Sequence, residues 1–374
     1  MRSQFLKVAL VATVGSAVAA AVGVSASARP SAAPVAAPAA QAAAMSSIGT
    51  LAFGPSDVLF AADTQAAAIH ALELGAAAGG GVPGTADIEA VDQKIAAALG
   101  TDAAGIAITD LAVHPRTRNS FVAVMRGQGA AARPALVRID GAGTITAVDL
   151  AALTQTRVEL PNAPVAGAPR SARTQAVMDM AFQDGKLWIA GLSNEEFSSK
   201  LRAVAYPFAA ADAGASVEIF HGNHGRVETN SPVYAFVPYT VGGAPHMIAG
   251  YLCTPLVTFP ISELKAGTKV RGTTIAELGN RNRPIDMLVY SKGGAEFLLM
   301  SNTDRGVMKI PTAGFASAAP ITARVPEGTA GVTFETVASL TGITQLDRLD
   351  PTRIVVLSRS AAGAPVSLKA VPLP

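Results

Sequence analysis

ITDLAVHPRTRNSFVAV, residues 108–124, decides the fold. A short apolar stretch at 111–113 meets a turn signal at 114–119, and a β-rich stretch follows at 120–125. ALVRID (135–140) and TITAVDL (144–150) come next, divided by Gly141-Ala142-Gly143. The unit implied is four short antiparallel strands joined by hairpins. The same grammar recurs in GTLAFGPSDVLFAAD (49–63), VMDMAFQDGKLWIAG (177–191), PVYAFVPYTVGGAPHMIAG (232–250), PIDMLVYSKGGAEFLLM (284–300) and ITQLDRLDPTRIVVL (343–357). A sheet this small has two apolar faces and open edges. Stacking such sheets radially buries the faces and protects the edges, which is the propeller solution.

The expected class is all-β, a six-bladed β-propeller. Seven blades is the alternative, because ITARVPE (321–327) and VTFETVA (332–338) are strand-like pieces outside the six copies. Equivalent positions Leu51, Leu111, Met180, Ala235, Met287 and Leu346 lie 52 to 69 residues apart. Tight propeller repeats run to roughly 40–50 residues, so loops have been inserted. One insertion carries a short helix near 87–99, with Ile88, Val91, Ile95 and Leu99 on one face and Gly100 as a stop. Another, 161–173, is Pro-rich and irregular. The last copy ends with three strands, so a strand from elsewhere is expected to complete the ring.

The amino terminus has the three parts of a secretory leader. Arg2 and Lys7 start it, residues 8–24 form an uncharged apolar core, and Ala26-Ser27-Ala28 is a small-x-small cleavage site. Residues 1–28 therefore read as a cleaved signal peptide, 29–45 as a disordered Ala/Pro-rich tether, and 46–374 as one propeller domain. The expected location is periplasmic or secreted, by a Sec-type route, with no transmembrane span in the mature chain. Removing the leader leaves 27 basic against 27 acidic residues. A neutral chain with 15% charged residues lacks the basic footprint of a nucleic-acid binder. The one cysteine, Cys253, has no partner for an internal disulfide, so the core must hold the fold.

LAFGPSDVLFAADTQAAAIHALEL (51–74) and MDMAFQDGKLWIAGL (178–192) resemble the blades of six-bladed propellers of the NHL-repeat and senescence-marker/gluconolactonase groups, and of other exported bacterial propellers. The resemblance is one of blade grammar and covers most of 47–374. For gluconolactonase-like members it implies a divalent cation at the central channel, held by carboxylates and amides that begin with a Glu on the first blade. Residues 47–53 contain no Glu.

Propeller geometry places the loop leading into each inner strand and the loop between second and third strands on one face, around the channel mouth. That mapping gathers Arg173, His221, Asn223, His224, Glu228, Asn230, Arg281, Asn282, Arg283, Asn302 and Asp304 into one candidate ligand-binding face. The opposite face receives turn formers such as His114-Pro115, Asp184-Gly185 and Gly242-Gly243. In HGNHG, His221 and His224 suit a shared metal ion, a divalent cation, with Glu228 as a third ligand and His246 or Cys253 as further candidates. The alternative is a polar loop whose histidines bond backbone. Cys253, within YLCTPLV, reads more readily as a small buried hydrophobe. Asp110, Asp179 and Asp286 precede the inner-strand apolar run in three copies, which points to a repeated bond to neighbouring backbone N–H groups. A carboxylate ring around a cation is the other reading.

The chain lacks G-x-S-x-G, H-E-x-x-H, GxxxxGK[ST] and CxxCH. The functional expectation is an exported, monomeric binding or interaction protein, its partner a small molecule or another exported protein. A metal-dependent hydrolase or lactonase of the gluconolactonase-like kind is one alternative. A copper or redox accessory protein built on His221, His224, His246 and Cys253 is another.

Overall fold

The structure, a computed structural model, describes residues 44–80, 87–166, 169–326 and 328–374, without the side chains of 169–171. The leader and most of the tether fall outside the described residues. No helix among the described residues is long and apolar enough to cross a membrane.

Six sheets, antiparallel except where Lys269–Arg271 pairs in parallel with Ala215–His221, form a propeller ring, so the six-blade count holds. Numbered by their inner strands in chain order, those strands are Leu51–Phe53, Ile106–Val113, Asp179–Gln183, Ala235–Val241, Pro284–Lys292 and Ile343–Arg348. Second strands such as Val58–Asp63 and Lys186–Leu192 are buried along almost their whole length. Both of their faces are covered by neighbouring blades, which is why their sequences are nearly continuous in apolar residues. The hairpins turn where the sequence marks them. Asp184-Gly185 and Gly293-Gly294 both take positive φ at two successive residues, as a tight two-residue hairpin requires.

The order around the ring is not the order along the chain. Inner-strand contacts run from blade 2 to 1, 3, 4, 5 and 6, and from 6 back to 2. Blade 2 is therefore inserted within blade 1. The fourth strand of blade 1, Thr154–Glu159, follows blade 2 in sequence and pairs with Ala68–Glu73. Six apolar cores report the same order, one for each pair of neighbours. Leu51 and Leu59 of blade 1 pack with Phe121 of blade 2, and Phe60 of blade 1 packs with Leu187 of blade 3. Val113 and Val122 of blade 2 pack with Val355 and Leu368 of blade 6.

Blade 6 has three strands of its own, and residues 87–89 supply its missing edge. Ile88 and Leu368 exchange both backbone hydrogen bonds, at 2.8 and 2.9 Å. Glu89 pairs with Lys369 at 2.8 Å. The inserted helix is Val91–Ala98, shorter than the expected 87–99 because its first residues serve as this edge strand. Ala90, at φ 51, turns the chain from edge to helix. Val91 and Ile95 face the core between blades 6 and 2, as the apolar spacing predicts.

The strand-like pieces near 321–338 build no seventh sheet. Ala330–Gly331 adds to the outer edge of blade 4, and Glu335–Thr336 to that of blade 5.

Candidate functional site

A hydrogen bond that recurs in four blades fastens the segments around the inner strands. The end of the second strand or the loop after it donates to a carbonyl in a segment leading into an inner strand: Asn194 N to Asn162 O, Cys253 N to Asn282 O, Thr303 N to Arg283 O and Arg359 N to Gly342 O, at 2.7–3.0 Å.

A central cavity of about 750 Å³ is lined by the inner strands of all six blades. Four carboxylates lie in its wall: Asp110, Asp179, Asp286 and Asp347. Each takes a backbone N–H from the next blade around the ring. Oδ2 of Asp110 accepts from Leu51, of Asp179 from Phe236, of Asp286 from Leu346 and of Asp347 from Val113, at 2.6–2.7 Å. The other oxygens of Asp179 and Asp347 accept the N–H of the following residue, Met180 and Arg348. These acids are inter-blade ties, each holding one or two backbone N–H groups. Burial pushes them upward, Asp110 to about 8, Asp179 to about 7 and Asp347 to about 6, with Asp286 also well above the usual range. Asp347 carries no sequence signal of the kind the other three share, since it follows its apolar neighbour Leu346 instead of preceding it.

At the mouth, the Arg283 guanidinium lies over the Tyr234 ring, 5.6 Å from its centroid, and makes no ion pair among the described residues. Arg118 and Arg348 also line the cavity, but both donate to backbone carbonyls, of Leu349 and Val289. Arg281 and Asp304 belong to a separate, shallow recess with Asn280 and Arg305.

The remaining candidates divide into spent and free groups. Arg173 holds the 161–173 insertion down, donating to Gln65 O at 2.8 Å and Pro164 O at 2.9 Å. Asn282 is buried and accepts from Asp304 N through its side chain. Asn302 closes the turn after the second strand of blade 5 by donating to Met300 O and Gly306 O. Asn223 donates its backbone N–H to Glu277, and Asn230 is exposed.

His221, His224 and Glu228 come together. The HGNHG turn is closed by Gly225 N to His221 O at 2.8 Å, which sets the two imidazole centroids 4.0 Å apart. Gly225 takes φ +67 there, a conformation glycine adopts without strain. Glu228 receives both rings: Oε2 is 2.9 Å from Nδ1 of His221, and Oε1 is 2.7 Å from Nδ1 of His224. Arg226 Nε adds a third donor at 2.8 Å. Burial alone would raise Glu228, but bonds from His221, Arg226 and His224 hold it down at about 2. Burial pushes His221 below the ordinary histidine range, so its ring is neutral near pH 7.

Cys253 of blade 4 completes the group. One nitrogen of each imidazole and Cys253 Sγ all lie within 4.8 Å of one another. His246 does not join them. It sits beside the Gly242-Gly243 turn, at the far end of strand Ala244–Gly250 from Cys253, with Nδ1 2.9 Å from Ala244 O.

No family model and no curated protein sequence matches the chain. Among solved structures, extracellular domains 1–2 of Drosophila semaphorin 1b match with 11% identity and a TM-score of 0.40 over 88% of each chain. A chain of a mitotic checkpoint complex matches with 8% identity and a TM-score of 0.36, over 95% of this chain and 99% of the other. A Thermus thermophilus protein described as an oxidoreductase (glucose dehydrogenase) matches with 12% identity and a TM-score of 0.29, over 87% and 97%. At such identities and scores none of them bears on activity; the propeller assignment rests on the strand pairing itself.

Proposed function

We propose that the protein is an exported binding module that takes a small polar molecule with an anionic group into the mouth of its central cavity. The observation that carries this reading is the division of charge around the cavity. The wall carboxylates are committed to backbone N–H groups, whereas Arg283 stands at the rim beside Tyr234 without a carboxylate partner. A guanidinium in that position favours a carboxylate or phosphate, and an aromatic ring beside it offers a stacking surface. About 750 Å³ lies within the range of small-molecule sites. Export rests on the leader-like residues 1–28.

A lactonase of the gluconolactonase-like kind is less well supported. Its cation would need carboxylate oxygens free in the channel, and the first blade's inner strand contributes none.

The test is a calorimetric screen of the mature chain against small carboxylates and phosphates. A binder is expected that Arg283→Ala weakens about tenfold or more, since a charge-assisted pair contributes roughly 1.5–3 kcal/mol. Arg281→Ala, in the neighbouring recess, is expected to leave it unchanged. Ligands that bind wild type and Arg283→Ala equally well would overturn the assignment.

A further inference from the structure

We propose that His221, His224 and Cys253 bind one thiophilic metal ion, with copper preferred over zinc, through the two Nε2 atoms and the thiolate. This site stands apart from whatever enters the cavity.

Three independent features converge. Glu228 spans both imidazoles at Nδ1, so the coordinating nitrogen left on each ring is Nε2. A carboxylate on the far nitrogen is the usual support of a metal-bound histidine, fixing tautomer and orientation. Here one acid serves two rings, and its side chain is 8% exposed. Glu228 is thus a positioning residue and not the third ligand.

Second, His221 Nε2 is shut off from solvent and has no hydrogen-bond partner among the described residues. A buried polar atom without a partner costs about 1–3 kcal/mol, and coordination would satisfy it. Third, Cys253 and the next residue, Thr254, hold φ of 64° and 57°, two successive non-glycine residues in the left-handed region. Such conformations persist only where surrounding bonds impose them, and they concentrate at functional sites. Cys253 N to Asn282 O at 2.7 Å, Thr254 N to Tyr251 O at 2.8 Å and Thr254 Oγ1 to Gly279 O at 2.7 Å impose them here.

Bond lengths of about 2.0–2.3 Å to a shared ion separate ligand atoms by roughly 3.3–3.8 Å. One nitrogen of each ring and Cys253 Sγ lie within 4.8 Å of one another, so drawing three donors onto one ion closes the group by about 1 Å. His224, with 42% of its side chain exposed, is free to supply that movement, whereas His221 at 3% is fixed. Two imidazoles and one thiolate form a three-coordinate set of the kind copper favours, and the soft thiolate with a low ligand count suits copper(I) better than zinc(II), which takes four ligands.

The test is a titration of the metal-free mature chain with copper(I) and zinc(II), each competed against a chromophoric chelator. One ion per chain is expected, with copper displacing zinc. Cobalt(II) should give a near-ultraviolet thiolate-to-metal charge-transfer band that disappears in Cys253→Ser. Glu228→Gln should weaken binding about 10–100-fold, the range for an outer-shell carboxylate. Cys253→Ser and His224→Gln should weaken it further. Replacement of the buried His221 risks unsettling blade 3, so the exposed His224 carries the histidine arm, with thermal melting as the control on folding. Less than one ion per chain, or affinity unchanged in both Cys253→Ser and His224→Gln, overturns the site. Zinc displacing copper overturns the preference. Arg283→Ala should not alter metal binding, which separates this result from the fate of the cavity ligand.

Discussion

Asp347 Oδ2 accepts the backbone N–H of Val113 at 2.6 Å, across 234 residues of sequence. This bond joins the last blade to the second and closes the ring at a place that chain order does not suggest. With the bonds from Asp110 to Leu51, Asp179 to Phe236 and Asp286 to Leu346, it ties four of the six junctions between neighbouring inner strands.

Removing one tie should be costly. Asp179→Ala leaves the N–H groups of Phe236 and Met180 without their acceptor in the cavity wall. Each orphaned donor costs about 1–3 kcal/mol, so a loss of roughly 2–5 kcal/mol is expected in urea unfolding. A loss below about 0.5 kcal/mol, the range of an ordinary surface change, would show that the tie contributes nothing.

The same acids set a pH dependence. Asp110, Asp179 and Asp347 rise to about 8, 7 and 6 in the folded chain, and Asp286 and Glu277 (at about 7) move the same way. Between about pH 4 and 8 the folded state therefore holds protons that the unfolded chain has released, and stability falls as pH rises through that window. Arg348, beside Asp347, opposes the trend there without reversing it. Glu228 and Asp350, both near 2, lose their contribution only below about pH 4. His70, His114 and His221, lowered by burial, run the other way up to about pH 6.5, so melting temperature should drop between pH 6.5 and pH 8, and Asp179→Asn should flatten the slope. A melting temperature that rises across this range contradicts the assignment.

Residues 87–89 act as the edge strand of blade 6, so Ile88→Pro removes the N–H that bonds Leu368 O. Hydrogen exchange should then quicken selectively in Val366–Pro372. Unchanged protection there would mean that blade 6 is complete with three strands.

Much of this architecture is legible in the sequence because blades are local objects. Inner strand, turn and second strand follow one another within about twenty residues, and pairs such as Asp184-Gly185 and Gly293-Gly294 mark the tightest hairpins. Ring order is different in kind. That Thr154–Glu159 returns to blade 1 after blade 2 is decided by pairing with Ala68–Glu73, and no local pattern encodes it. Asp347 escaped notice for a related reason. It follows its apolar neighbour Leu346, whereas Asp110, Asp179 and Asp286 precede theirs, and only its bond to Val113 shows the shared role.

The candidate site divides along the same line. His221, His224 and Glu228 lie within eight residues, and their spacing announces them. Cys253 belongs to the next blade and meets them only through the interlocking loops, so sequence could offer it as one ligand among several. Glu228 is close to the histidines as expected, but its oxygens face Nδ1 on both rings, a distinction that only geometry supplies.

The most direct measurement is anomalous diffraction at the copper edge from crystals of the copper-loaded protein. A single peak is expected within bonding distance of His221 Nε2, His224 Nε2 and Cys253 Sγ, and none among Asp110, Asp179, Asp286 and Asp347. A peak in the central channel, or none beside His221, would contradict the proposed site.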